Sequence, residues 1–73
     1  MKVTYDEGAN AAYIYLRREG GRVKNTDASA ALVRQGIMIN LDFDFDDRLV
    51  GIEVLAASKL LPSEVLEEAE RIG

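Results

Sequence analysis

Asp42, Asp44, Asp46 and Glu53 are the residues of this 73-residue chain with the most chemical potential. Three carboxylates at alternate positions and a distal glutamate are what a hard divalent cation takes as ligands, in the order of a helix-loop-helix calcium site. The pattern departs from that site in two ways. Asp47 stands where the loop needs glycine for its sharp turn, and the flanking residues alternate with period two instead of forming helices. The three aspartates are therefore expected in a row on one wet strand face, as an acidic patch with Glu53 that resists edge-to-edge aggregation. A weak divalent-cation hairpin is the alternative. No metal or cofactor is expected as a resident group.

Other chemistry has little to work with. The chain has no His, Cys or Trp. General acid–base work near neutral pH thus lacks its usual side chain, and no thiolate is present to attack or to bind metal. Ser29, Ser58 and Ser63 have no base of the usual kind beside them in sequence. Asp6 and Glu53 are a conceivable carboxylate pair, but Asp6 reads as a turn residue and Glu53 as a polar strand residue. Gly20-Gly21 does not open a helix, so it is no phosphate loop. The protein is expected not to be an enzyme. Arg17, Arg18, Arg22 and Lys24 gather near Tyr13 and Tyr15, yet Glu19 interrupts them. The formal net charge of -4 argues against a general nucleic-acid or anionic-membrane binder.

The elements that must position these groups follow from periodicity. Val3 to Tyr5 alternates apolar and polar residues as a short strand, and Asp6 to Asn10 is turn-rich. Ala11 to Arg18 is apolar on both faces, with Ala12, Ile14 and Leu16 on one and Ala11, Tyr13 and Tyr15 on the other. Gly20-Gly21 is a hairpin signal, and Arg22 to Thr26 is the returning strand. Residues 27–36 are open to helix, edge strand or loop, with irregular structure favoured. Ile37 to Phe45 alternates strictly, with Ile37, Ile39, Leu41, Phe43 and Phe45 on one side. A two-residue turn at Asp46-Asp47 then sets Phe43 opposite Val50, Leu41 opposite Ile52 and Ile39 opposite Val54, so the apolar faces match. Ala56 to Leu61 is a connector. Pro62 starts a helix in which Val65, Leu66, Ala69 and Ile72 share a face and Arg71 pairs with Glu67.

These elements make a single small α+β domain over residues 1–73. It is an antiparallel β-meander of four to five strands with one C-terminal helix packed on the sheet. One short helix covers one side only. Tyr5, Tyr13 and Tyr15 are expected on the other side, as a candidate interaction face. A domain this small buries only about 60% of the surface its unfolded chain exposes, so an aromatic face of this kind favours a homodimer. Charge is also unevenly spread. Residues 1–36 hold six bases and four acids, and residues 37–73 hold three bases and nine acids. An acidic partner for a basic protein is thus a second reading. No apolar run approaches a membrane span and the start lacks an apolar leader, so the cytoplasm is the expected compartment.

One resemblance adds to this reading. Tyr5-Asp6, the run Ala-Asn-Ala-Ala-Tyr-Ile-Tyr-Leu at 9–16, the acidic segment 42–47 and Val-Gly-Ile-Glu-Val-Leu-Ala-Ala-Ser-Lys at 50–59 carry it. Together they resemble the bacterial domain-of-unknown-function family 2283, over nearly the whole chain. Asn10 stands where that family commonly has Asp, Asp47 where it has the turn Gly, and residues 27–36 are longer than its usual connection. The resemblance implies a small sheet with a helix and no established activity. Some members sit near toxin-like genes, which implies an antitoxin-like, partner-binding role as an alternative to a self-contained module.

Overall fold

The computed structural model describes residues 1–18, 24–27 and 38–73. Its sheet has six strands: β1 (Lys2–Asp6), β2 (Ala11–Tyr15), β3 (Lys24–Asp27), β4 (Ile39–Phe43), β5 (Leu49–Leu55) and β6 (Glu70–Ile72). Two short helices, α1 (Ala57–Leu60) and α2 (Ser63–Glu68), lie between β5 and β6. The spatial order is β3-β4-β5-β2-β1-β6. All pairings are antiparallel except that of β6 with β1. The α+β class holds; the described residues form six strands and two short helices, where the periodicity predicts four to five strands and one C-terminal helix.

The strand order corrects the simple meander. β2 lies beside β5, and among the described residues β3 pairs with β4. The segment Arg22 to Thr26 has a single apolar residue, Val23, whereas β5 offers Val50, Ile52 and Val54 at alternate positions. A central place in a sheet with one face covered goes to the strand with the apolar row, and Ala12 accordingly faces Val54 and Ile14 faces Ile52. Gly20-Gly21 and residues 28–36 lie outside the described residues.

The β4–β5 pairing follows the alternating pattern. Ile39 opposes Val54 and Leu41 opposes Ile52, but Phe43 opposes Leu49, because a bulge interrupts the ladder between Asp42 and Phe43. The turn is also one of longer reach than Asp46-Asp47. The Asp47 N–H donates to the Asp44 carbonyl at 3.1 Å, and Asp44 Oδ1 accepts the N–H groups of Asp46 at 2.8 Å and Arg48 at 3.0 Å. Asp47 takes φ 63°, the left-handed position that such a turn needs to swing back into the ladder.

Both helices serve one face of the sheet. Tyr5, Ala12 and Val54 form the buried core with Ala57, Leu66 and Ala69, and Val3, Ile14, Ile52, Leu60 and Leu61 pack against it. The expected connector 56–61 thus contains α1. Ala56, at φ 55°, breaks β5 and turns the chain. Asn10, at φ 52° in the β1–β2 turn, then holds α1 from outside it. Its carbonyl accepts the Ala57 N–H at 3.0 Å and its Oδ1 accepts the Ser58 N–H at 3.0 Å. The same Oδ1 accepts the Tyr5 hydroxyl at 3.0 Å, and Asn10 Nδ2 donates to Ser58 Oγ at 2.9 Å.

The predicted C-terminal helix stops early. Pro62 sits just outside α2, Leu66 is buried, and Ala69 is already extended. Glu67 and Glu68 set negative charge at the helix C-terminus, where the dipole opposes it. Glu70–Ile72 instead runs along the outer edge of β1, with Tyr5 paired to Arg71, where main-chain groups would otherwise lack partners. Ile72 therefore does not share a helix face with Leu66. Arg71 reaches Glu7 at 3.7 Å and lies 5.0 Å from the Tyr5 ring centre, so it does not extend a Glu67 pair along a helix.

Candidate interaction face

Strand alternation sends the second set of side chains to the side opposite the helices. Thr4 and Asp6 of β1, Ala11, Tyr13 and Tyr15 of β2, Gly51, Glu53 and Leu55 of β5, and Asn40 and Asp42 of β4 share this face. Among the described residues, no element lies across it.

The predicted tyrosine face is split by the fold. Tyr5 lies under the helices, 7% exposed, and is a core residue. The reason is register. Tyr5 opposes Ala12, so it belongs to the row of Ala12 and Val54, whereas Tyr13 and Tyr15 sit on the odd positions of β2. Those two remain on the open face, with ring centres 4.6 Å apart at 73°, an edge-to-face contact. Lys2 lies 5.6 Å from the Tyr15 ring centre and pairs with Glu70 at 3.0 Å.

Tyr13 is tied into the face by a glycine. Gly51 opposes Asp42 on one side and Tyr15 on the other, and a Cβ built on it would fall on the Tyr13 phenol. With no Cβ there, the ring crosses β5 and its hydroxyl donates to Asp42 Oδ2 at 2.6 Å. Desolvation, reinforced by that bond and by the Asp42 charge, pushes the phenol well above its ordinary pKa. Beside it, Asn40 Nδ2 donates to Glu53 Oε1 at 2.8 Å across a directly opposed pair.

The acidic patch is likewise dispersed. Asp42 and Glu53 are on the open face, each held by a neutral donor. Asp44 has turned into the loop, where the Arg48 N–H first and the Asp46 N–H after it hold its carboxyl below the usual range. Asp46 is exposed in the same loop. The aspartates therefore do not stand in a row, since the alternation ends at Phe43. Among the described residues, no group of three or more acidic side chains is placed to hold a metal ion. Asp6 accepts the Ala9 N–H at 3.1 Å, the turn role its sequence context predicts.

Gly51, Asn40 and Asn10 were not singled out as positioning residues by the sequence. Gly51 had a visible signal, since a lone glycine inside an apolar strand marks a close approach. The Asn10–Ser58 pair had none, because its members are 48 residues apart.

Among the described residues, no helix is long and apolar enough to cross a membrane. No curated protein and no solved structure matches the chain. Residues 2–58, which span β1 to the start of α1 and include every residue of the Tyr13–Gly51–Asp42 arrangement, match one family model. The chain therefore belongs to the family described as proteins of unknown function, DUF2283.

Proposed function

We propose that this protein is a non-catalytic interaction module that pairs with a second copy of itself through the open sheet face, with Tyr15 near the centre of the contact. One observation carries the reading. Both helices pack on one side, while the other presents the Tyr13–Tyr15 pair and Leu55 with no described element over them. Among the described residues Ala57 is the one core residue at 0% exposure, and a domain this small gains stability from burial through association. Tyr15 is the residue to probe, because Tyr13 is committed to Gly51 and Asp42 within the chain. A soluble paramagnetic agent should broaden amides of the helices and spare Tyr13, Tyr15 and Ile52 to Val54 in the wild type. In Tyr15→Asp it should broaden both sides. Equal broadening of both sides in the wild type contradicts the reading.

A basic protein as partner is the second reading. Its support is that Asp42 and Glu53 are held by a phenol and an amide, with no described cation on either. It differs in its salt response, since contact between opposite charges weakens as salt rises.

A further inference from the structure

The open face is complementary to itself. One row crosses it as Asp42, Gly51, Tyr15 and Lys2, on β4, β5, β2 and β1, each residue directly opposite the next. The row has an acid at one end and a base at the other. Its middle members are a glycine on β5 and a tyrosine on β2. Two same-face steps along the strands, the sizes reverse, with Leu55 on β5 opposite Ala11 on β2. Both rows thus set a large side chain beside a small residue on the two central strands.

Sheets that pack face to face lie about 10 Å apart with their strands nearly aligned. Consider a two-fold axis along the strands, midway between β5 and β2. It exchanges β5 with β2 and β4 with β1, and keeps every row level. β1 and β4 each lie about 7 Å from that line, one and a half strand spacings. The half-turn lays Lys2 of each copy over Asp42 of the other. It lays Tyr15 over Gly51, where the Tyr13 ring fills the glycine's gap, so ring meets ring. It lays Leu55 over Ala11. The row between sets Thr4 and Tyr13 over Asn40 and Glu53, which are already hydrogen-bonded to each other within each copy.

Neighbouring axes lose this match. An axis on β2 sets Tyr15 against itself and Lys2 over Gly51, and an axis on β5 sets Asp42 over Tyr15. An axis across the strands at this row sets lysine on lysine and aspartate on aspartate. The two charged groups also suit the contact. The Glu70 carboxylate at 3.0 Å and the Tyr15 ring at 5.6 Å hold the Lys2 ammonium at this face, and its three donors can serve a second carboxylate. Asp42 accepts the Tyr13 hydroxyl on Oδ2 and keeps further lone pairs for an ammonium.

We infer that two copies dock about a two-fold axis running along the strands between β2 and β5, with Lys2 of each paired to Asp42 of the other. The inference rests on the self-pairing reading and fixes its geometry. Apolar and aromatic burial holds the dimer, and the two charge pairs set its register.

Charge reversal in the full chain, followed by sedimentation equilibrium at low salt, tests it. Lys2→Glu and Asp42→Lys each bring like charges together twice, and each should weaken the dimer at least about tenfold. An equimolar mixture of the two should regain association as a one-to-one heterodimer, because one of its pairs is native and the other is reversed. Asp42→Lys also removes the acceptor of Tyr13, so a second measurement alters only the exposed position 2. A nitroxide on Lys2→Cys, the single thiol in that chain, is mixed with isotope-labelled wild type. It should broaden the Asp42 and Asn40 amides of the labelled copy. Single reversals that leave the dimer unweakened, a mixture of folded chains that gains no association, or broadening centred on β1 and β6 would overturn this geometry while leaving self-pairing intact. A wild-type monomer would overturn both.

Discussion

The phenol of Tyr13 donates to Asp42 at 2.6 Å across an intervening strand. The bond joins β2 to β4 over β5, and Gly51 is what lets it form. A polar arrangement of this kind fixes one orientation of the Tyr13 ring, against which Tyr15 makes its edge-to-face contact.

Gly51→Ala should therefore destabilise the fold. The new methyl displaces the Tyr13 ring, a case of overpacking that costs about 1–3 kcal/mol. The double variant with Tyr13→Ala should show a cost well below the sum of the single ones, since each change removes the other's clash or contact. Urea unfolding of the four proteins checks this.

Tyr13→Phe should cost about 1 kcal/mol, because Asp42 then loses its donor on a partly covered face. The pH dependence has a definite sign. The folded phenol titrates above its unfolded value near 10. Its stabilising share is thus complete below about pH 10 and falls as pH rises beyond that. Tyr13→Phe should flatten part of the alkaline decline in chemical-denaturation midpoint.

Asp44 acts at the other end of the scale. Its folded carboxyl lies below its unfolded value, held there by the N–H groups of Arg48 and Asp46. Its share is present above the unfolded pKa and lost as pH falls through the folded one. Asp44→Ala should lower stability at neutral pH and narrow its gap from the wild type in acid. An equal gap at both ends of an acid titration would refute the loop role.

Asp47→Gly should raise stability by about 1 kcal/mol. The residue holds φ 63°, where glycine carries no Cβ penalty and aspartate a reduced one. Thermal melting resolves a change of that size in a chain this short.

Asn10→Ala should cost about 2–3 kcal/mol, since it frees the Tyr5 hydroxyl, the Ser58 N–H and Ser58 Oγ together and sets alanine at φ 52°. Asn10→Asp should cost less, because an oxygen remains to accept from Tyr5 and Ser58. Loss of hydrogen-exchange protection at Ala57 and Ser58 should track the two variants in that order.

How far this architecture could be read from the chain follows from the range of each signal. Ile39 to Leu41 and Ile52 to Val54 announce their pairing because period two and one buried face leave a single register, whereas the bulge that sets Phe43 opposite Leu49 has no mark in the alternation. The same alternation puts Tyr13 and Tyr15 on one face. Tyr5 escaped the reading because its face depends on which residue of β2 it opposes, a non-local fact. The neighbourhood of β2 and β5 is of the same kind, since a local glycine pair favours pairing with the next strand in sequence. Ala69 to Ile72 misled for another reason. Its helical spacing is real, but the open edge of β1 competes for the same residues and wins.

The solution mass by light scattering, at low and at high salt, tests the central claim most directly. Self-pairing through an apolar and aromatic sheet face predicts a dimer at both salts, and a monomer for Tyr15→Asp at either. A wild-type monomer at both salts, or a dimer that survives Tyr15→Asp unchanged, contradicts it.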